Sequence, residues 1–291
     1  MRTVLFVVAL LLVLSSGAMA QSKMEALGLR GPVKVVVEVV VKESLVSYSF
    51  SKDGKIEVKV SSMVGRDVYM NKYDGLERIY VGGRIENGSE EKDFYTEYDE
   101  EKKEYHVWNC DGEEKKKQLF VYGKLDEQGR PETVIIAGSM SDQMKNTYDS
   151  RGNLVVRESR EGTESKVVSK TEHQYGEKNQ LARTRYLRWD DPSKSMQLTD
   201  EVVYHYYQDG YLVRVERIRC EAGKEKETKE DRRYEYIFFD SYGNWTKRFC
   251  YEDGKELLEE RSISYYGEGF DLFQEVLGFA KLRIMNKGAV R

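Results

Sequence analysis

Apolar and polar residues alternate along most of the chain, in short runs separated by turn residues. The clearest run covers 32–42, where valines at the odd positions alternate with Lys34, Glu38 and other even-numbered residues. A period of two predicts a β-strand with one buried face and one largely wet face. Similar runs continue to about residue 266, so the sequence predicts an all-β protein.

One turn sequence returns along the second half of the chain. Residues 148–154 reappear loosely at 239–245, with weaker copies at 175–181 and 207–212. Asp, Gly and Asn at these turns can bend the backbone, so each copy predicts a β-hairpin. The copies begin with aromatic residues that are 27, 32 and 32 positions apart, namely Tyr148, Tyr175, Tyr207 and Phe239. That spacing suits two strands and two connections per unit.

The predicted fold is a long, curved antiparallel meander of hairpin repeats. A sheet this wide cannot stay flat, because strand twist accumulates, so we predict a half-barrel or rolled sheet. A short C-terminal helix is predicted over about 272–281, where apolar residues recur at helical spacing. We expect this helix to cover an open end of the sheet. A helix lying on a membrane surface is the alternative.

The first twenty residues have the order of a secretory signal peptide. A basic Arg2 precedes an apolar run at 4–14 and small residues that end at Ala20. The run is shorter than the ~20 residues of a spanning helix. We therefore expect cleavage after Ala20, no later transmembrane segment, and a periplasmic, outer-membrane-associated or secreted protein. The predicted divisions are the signal peptide at 1–20, a hairpin region at 21–143, a repeat region at 144–266 and a helical cap at 267–291.

Charge and cysteine content narrow the class of protein. The chain after Ala20 has 46 basic and 51 acidic residues, a net charge near −5. It lacks the basic stripe of a dedicated nucleic-acid binder. Cys220 and Cys250 are separated by one predicted strand, which places their strands ~9.6 Å apart, beyond the ~7 Å that a disulfide spans. We therefore expect buried thiols and no bond between them.

The turn at 148–154 resembles the YD repeat of the Rhs and teneurin proteins through Tyr148, Asp149, Gly152 and Asn153. Those proteins are extracellular or secreted β-hairpin repeats that wind into large shells. The resemblance covers about 144–266. The chain is also similar in layout to exported hairpin-repeat proteins of Bacteroidetes-type bacteria, most of which lack an assigned activity. No toxin module is attached, so encapsulation is not implied.

No catalytic, metal or cofactor site is predicted. His173 and His205 align when the copies at Tyr175 and Tyr207 are superposed, but equivalent strands of successive hairpins lie ~10 Å apart. One zinc ion with bonds of ~2.1 Å cannot bridge that distance. The 51 acidic residues could contain a catalytic pair. A secreted or periplasmic hydrolase that uses two carboxylates is therefore the alternative function.

Aromatic residues provide the candidate binding site. Seven of them gather in one part of the predicted sheet, namely Tyr204, Tyr206, Tyr211, Tyr234, Tyr236, Tyr242 and Trp245. One interpretation is cross-strand packing that stiffens the sheet. The other is a platform for sugar rings or a protein partner. We predict a non-enzymatic binding or structural protein of the bacterial cell envelope, whose partner is an envelope glycan or another envelope protein.

Overall fold

A computed structural model describes residues 27, 29–40, 44–63, 68–86, 89–111, 113–137, 143–161, 166–220 and 227–266. These residues form eighteen β-strands and no helix. The strands are β1 (Val33–Val40), β2 (Ser44–Phe50), β3 (Ile56–Met63), β4 (Val68–Tyr73), β5 (Ile79–Glu86), β6 (Ser89–Asp99), β7 (Glu104–Asp111), β8 (Glu113–Lys124), β9 (Thr133–Ile136), β10 (Gln143–Tyr148), β11 (Leu154–Glu161), β12 (Lys166–Tyr175), β13 (Leu181–Asp190), β14 (Ser195–Tyr206), β15 (Leu212–Arg219), β16 (Glu227–Phe239), β17 (Trp245–Glu252) and β18 (Lys255–Tyr265). The described residues therefore include no helix that could cross a membrane.

The sheet is a closed barrel. Each strand pairs antiparallel with the next one in the chain, and β1 pairs with β18 over seven residue pairs from Val33 with Tyr265 to Val40 with Glu259. The all-β prediction is confirmed, but the predicted open half-barrel is wrong. Closure removes the two edges that would otherwise expose unpaired peptide groups. The predicted helix at 272–281 and the predicted signal peptide at 1–20 lie outside the described residues.

Alternate side chains face the lumen and the outside of the barrel. Tyr105 on β7 is fully buried and lies within electrostatic reach of Tyr148 on β10 and Arg157 on β11. Side chains from strands this far apart can meet only on the concave side of a sheet, so these three face the lumen. The strand registers place the following residues on the same inner face: Val36, Glu38, Tyr48, His173, Tyr236, Arg248 and Arg261.

Apolar packing fills the barrel where strands approach each other on the inner side. One cluster joins β5 to β9 through Ile79, Phe94, Tyr105, Val107, Val121, Leu125 and Val134. A second cluster brings Leu29, which precedes β1, against Val36 and Tyr48 on the inner face. The residues before β1 therefore enter the lumen and close part of one end.

Strand β1 is buried on both faces. Val35 and Val37 on the outer face are 1% and 6% exposed, and Val36 on the inner face is 0% exposed. The prediction of one largely wet face is therefore wrong. Both faces are buried because β1 lies at the seam where the barrel closes. Its inner face packs against Leu29, and its outer face contributes to a second apolar cluster.

Eight turns, each between an even-numbered strand and the following strand, lie at one end of the barrel, here called the turn end. Seven of them share two backbone hydrogen bonds, from the first N–H to the fifth carbonyl and from the fourth N–H to the first carbonyl. Their fourth residue has φ between 58° and 97°, and it is glycine in five turns. Glycine takes this conformation without strain. The seven turns are 51–55, 74–78, 126–130, 149–153, 176–180, 207–211 and 240–244.

Aspartate fixes four of these turns. At Asp149, Oδ1 accepts the N–H groups of Arg151 and Asn153 at 2.9 and 2.8 Å, while Oδ2 accepts the Asn153 side-chain amide at 3.1 Å. Asp74, Asp126 and Asp240 accept the equivalent pairs of N–H groups. Hydrogen bonds of this kind let an Asp side chain define a turn locally. The hairpins predicted from the copies at 148–154 and 239–245 are confirmed.

Tyrosine hydroxyls tie five of the hairpins to the preceding hairpin. Tyr148 donates to the Pro131 carbonyl at 2.8 Å, and Tyr175 donates to the Leu154 carbonyl at 3.2 Å. The same bond runs from Tyr98 to Ile79, from Tyr206 to Leu181 and from Tyr236 to Leu212. Most of these tyrosines are the aromatic residue that precedes a repeated turn, and they thus join neighbouring hairpins. In the last copy that position is Phe239, which pairs with Trp245, and the bond comes from Tyr236. In the copy at 207–212 the equivalent residue is Tyr206, because it pairs with Leu212 as Tyr175 pairs with Leu181.

Candidate binding surface at the turn end

The seven aromatic residues predicted as a binding face lie near the turn end, but most of them are packed. Trp245, Tyr234 and Tyr211 are 3%, 8% and 9% exposed. Tyr204, Tyr206 and Tyr236 are half-buried on the inner face. Tyr242 is the member with a largely exposed ring, at 45%.

Two arginines occupy the aromatic faces that point inward. The Arg248 guanidinium lies 4.1 Å from the Trp245 ring centroid and 4.2 Å from that of Tyr234, and Arg261 lies 3.7 Å from Trp245. Their charges are paired, since Arg248 donates to Glu259 at 2.5 Å and Arg261 donates to Glu38 at 2.6 Å. Stacked and paired in this way, the inner aromatic faces hold the barrel together and leave no open platform.

A second set of aromatic and apolar side chains reaches solvent at the same place. We call it the aromatic rim, and it consists of Tyr207, Ile237, Phe238, Phe239 and Tyr242, which are 37–57% exposed. The register of β16 against β17 shifts twice between Tyr236 and Phe239. These irregularities interrupt the strict alternation of faces. Phe238 pairs with Lys247, whereas the partly exposed ring of Phe239 packs 5.3 Å from the ring centroid of Tyr211 and 5.9 Å from that of Tyr236. The four consecutive apolar residues at 236–239 were the sequence feature that could have predicted this exposed set. Strict alternation along a strand would instead have placed two of the four on the buried face.

The residues before β1 border the aromatic rim. Arg30 stacks 5.2 Å from the Tyr211 ring centroid and donates to the Asp209 carbonyl at 3.1 Å. Gly31 packs so closely on Tyr242 that a Cβ there would lie 2.5 Å from the ring. Tyr242 also stacks on Tyr265, with 4.4 Å between centroids. The exposed edge of Tyr242 is therefore held in one position.

Asn244 joins the two ends of the described chain. Its Oδ1 accepts the Arg30 N–H at 2.6 Å, and its side-chain amide donates to the Arg30 carbonyl at 2.9 Å and to the Tyr265 hydroxyl at 2.8 Å. The side chain is 0% exposed. The residue that ends the last repeated turn thus locks the N-terminal residues and β18 together.

The histidines do not form a pair. His173 lies on the inner face with Nδ1 3.0 Å from the Thr184 hydroxyl, whereas His205 lies on the outer face with Nε2 2.7 Å from Glu216. Superposing Tyr207 on Tyr175 had aligned the two histidines, but Tyr206 is the true equivalent of Tyr175. The shift of one residue moves one histidine to the opposite face. Among the described residues, no group of three or more His, Cys, Asp or Glu could hold a metal ion.

His173 is expected to make stability depend on pH. Burial and the nearby Arg157 lower the pKa of His173 to about 4, below the ~6.5 of an unfolded chain. The unfolded state therefore binds the proton more readily, and stability should fall as the pH drops from about 6.5 to about 4. Urea titrations between about pH 7 and about pH 4 should show a steeper loss for the wild type than for His173→Gln. Equal slopes would contradict this assignment.

A cavity of about 270 Å³ opens on β11, β12 and β13. It is lined by Val155, Val156, Glu172, His173, Gln174, Arg183 and Arg185. Glu201, which is 5% exposed, lies 3.5 Å from Arg183 and 3.2 Å from Arg185. Both cations thus lie against the Glu201 carboxylate, while the Glu172 carboxylate pairs with Lys170 at 2.7 Å. The charged side chains at the cavity are therefore already engaged with partners of the protein.

Five aspartates of the described residues have a pKa that departs from the ordinary value, and the direction makes them poor general acids. Each Asp or Glu whose pKa departs from its ordinary value is lowered, namely Asp53, Asp99, Asp149, Asp191 and Asp231. Hydrogen bonds from Arg214 and Arg233 lower the pKa of Asp231 to about 2. A glycosidase-type general acid needs the opposite shift. Cys220 and Cys250 are buried and not joined in a disulfide, which confirms the prediction for this pair.

The fold defines a closed antiparallel barrel of repeated hairpins. No protein-family model matches the chain, and a comparison with curated proteins finds no match. A porin-like protein from Bacteroides uniformis is similar in structure, with 10% sequence identity and a TM-score of 0.42 over 80% of this chain and 96% of that one. A porin-like protein from Bacteroides vulgatus has 12% identity and a TM-score of 0.36 over 81% and 99%.

A complex described as TcdB2-TccC3-Cdc42 is also similar in part. It shares 12% identity with a TM-score of 0.23, and the match covers 73% of this chain but 12% of that one. Likenesses at these TM-scores identify no family and carry no argument about function. The resemblance of 148–154 to a YD repeat therefore remains a prediction, supported by the turn geometry of this chain alone.

Proposed function

We propose that the chain is an exported, non-catalytic binding or structural protein of the cell envelope, and that it binds a partner protein through the aromatic rim. The observation that carries the proposal is the concentration of five exposed large apolar side chains in two neighbouring turns of the turn end and at the adjoining end of β16. Adjoining exposed apolar side chains are uncommon on soluble surfaces and favour a contact surface.

The rim is more apolar than its surroundings. The outer face of the same strands carries charged residues such as Arg233, Glu235 and Lys247, all exposed. Other exposed large apolar residues lie apart from the rim, on β4, β5, β8 and β13 and in the turn between β4 and β5. A compact apolar centre with a charged margin is the usual anatomy of a protein interface.

A protein partner suits the rim better than a glycan does. Phe238, Phe239 and Ile237 contribute no hydrogen-bonding group, and Ile has no ring face on which a sugar can stack. Phe and Tyr side chains in a cluster are favoured anchors between proteins. The downward pKa shifts of Asp53, Asp99, Asp149, Asp191 and Asp231 support a non-catalytic function over the carboxylate-pair hydrolase.

The test is quantitative capture from detergent-solubilised envelope with the exported chain as bait. Phe238→Ser and Tyr207→Ser are the informative variants, because these side chains are 57% and 51% exposed. Trp245 and Tyr206 are unsuitable, since Trp245 is 3% exposed and the Tyr206 hydroxyl ties two hairpins. We expect a saturable partner whose affinity falls at least about tenfold in the double variant.

The matched control is Tyr122→Ser. Tyr122 is a 38% exposed aromatic residue on the outer face of β8, eight strands from β16 in the closed sheet. Binding should be unchanged in this variant. Equal binding by the rim variant and the wild type would disprove the site. If purified envelope glycan competes with the captured partner, the ligand of the rim is a sugar. If no partner binds saturably, the carboxylate-pair hydrolase becomes the better hypothesis.

A further inference from the structure

Arg157 on β11 carries a positive charge on the inner face of the barrel that no carboxylate of the described residues balances. Its Nε donates to the Asn146 Oδ1 at 3.0 Å, and it forms no ion pair with a described residue. Arg261, for comparison, also faces inward and donates to Glu38 at 2.6 Å. A cation that leaves bulk water without an anionic partner is costly, so Arg157 needs an explanation.

The inward-facing neighbours of Arg157 are all uncharged or neutral types. The strand registers place Asn146 of β10 and Thr171 of β12 directly beside it. Tyr148 and His173, the next inward-facing residues of these two strands toward the turn end, lie within electrostatic reach of the guanidinium. None of these four residues is acidic. The adjoining strands therefore supply no counter-charge at this place.

The titratable groups around Arg157 stay neutral at neutral pH. Burial raises the pKa of Tyr105 and that of Tyr148. Burial and the Arg157 charge lower the pKa of His173 to about 4. Burial also lowers the pKa of Arg157 itself, but a guanidinium with an ordinary pKa above about 12 remains charged. The group as a whole therefore carries a single positive charge.

The charged pair beyond Tyr148 does not neutralise Arg157. Arg130 stacks 4.2 Å from the Tyr148 ring centroid, and it is paired with Asp126 at 2.6 Å. Asp126 also accepts the N–H groups of Gln128 and Arg130 within its own turn. This carboxylate is therefore committed to the turn and to Arg130.

The geometry at Arg157 defines the chemistry of a ligand. Neither terminal nitrogen of the guanidinium donates to a described residue, and the side chain is half-buried, so a solute in the lumen can reach it. Two parallel N–H donors match the two oxygens of a carboxylate or of a phosphate. A single positive charge without a second cation favours a monoanion, which a carboxylate is and a phosphate dianion is not.

Apolar surface adjoins the same place. Tyr105 belongs to a buried cluster with Val134, and Met144 packs against that cluster on the strand that carries Asn146. A ligand that pairs its carboxylate with Arg157 can therefore place an apolar group against these side chains. We propose that the lumen binds a small apolar monocarboxylate whose oxygens pair with the Arg157 guanidinium. This site is separate from the aromatic rim.

The three histidines of the chain provide the test. His173 lies beside Arg157, whereas His106 and His205 lie on the outer face. Sodium propionate is titrated into the isotope-labelled full chain at neutral pH and constant ionic strength, and the imidazole signals are followed by NMR. We expect a saturable shift of the His173 signal alone. Propionamide, which has the same shape and no charge, should cause no saturable shift. Equal effects of the two compounds, or equal shifts of all three histidines, would overturn the proposal.

Two arginine variants separate the site from general charge effects. Arg157→Met should weaken propionate binding at least about tenfold. Arg151→Met is the matched control, because it removes an arginine whose side chain is 44% exposed in a turn, and binding should be unchanged. Unchanged binding in Arg157→Met would refute the site, and tighter binding of inorganic phosphate than of propionate would refute the choice of a monocarboxylate. If Arg157→Met does not fold, the comparison of propionate with propionamide in the wild type decides.

Discussion

Replacing Asn244 with Ala is expected to lower the free energy of unfolding by about 4 kcal/mol. The change removes the acceptor of the Arg30 N–H and the donor to the Arg30 carbonyl and the Tyr265 hydroxyl, all inside a site that is 0% exposed. A buried polar group that loses its partner costs about 1–3 kcal/mol. Equilibrium urea unfolding, followed by circular dichroism, measures the loss.

Asn153→Ala is the matched control for this prediction. Asn153 occupies the same position in another repeated turn and is also 0% exposed. Its amide donates to Asp149 at 3.1 Å and to Asn179 at 2.5 Å, and neither partner belongs to the N-terminal residues or β18. We expect a loss of about 2 kcal/mol here. Equal losses in the two variants would show that Asn244 contributes nothing to closing the barrel.

The hairpins were predictable because their determinants are local. Asp149 and Gly152 fix a turn within five residues, and the same chemistry recurs at Asp240 and Gly243. Other turns of the same geometry were harder to recognise as copies. At 74–78 the positive φ is carried by Glu77, at 58°, where the pattern would require glycine. Backbone hydrogen bonds preserve the turn although the sequence signature has been lost.

The assignment of faces was more fragile than the assignment of strands. Taking Tyr207 in place of Tyr206 as the repeated aromatic residue shifts the copy by one position. In a strand, one position exchanges the inner and outer faces, so His205 was wrongly aligned with His173. The aromatic rim was missed for a related reason, since the register shifts in β16 have no signal in the alternation pattern.

Closure of the barrel could not be predicted from local pattern. The contacts that define it join residues far apart in the chain, such as Arg261 with Glu38, 223 positions away. The alternation at 32–42 would be the same in an edge strand and in a strand at the closing seam. Burial of Val36 beneath Leu29 and Tyr48 depends on tertiary packing, which strand periodicity does not encode.

Gly123→Ala is expected to destabilise the barrel by at least about 3 kcal/mol, because β8 and β9 meet at this residue. A Cβ at Gly123 would lie 1.9 Å from the Thr133 carbonyl oxygen and 2.8 Å from the ring of Tyr105. That carbonyl accepts the Tyr105 hydroxyl at 2.9 Å, so removing the clash requires backbone movement and breaks a buried hydrogen bond.

Gly75→Ala is the control, because no atom lies within 4 Å of a Cβ placed there. It should change the free energy of unfolding, measured by urea titration, by less than about 0.5 kcal/mol. Because the closest clash is with backbone, adding Tyr105→Leu to Gly123→Ala should not restore stability, and a rescue would show that the ring alone sets the need for glycine.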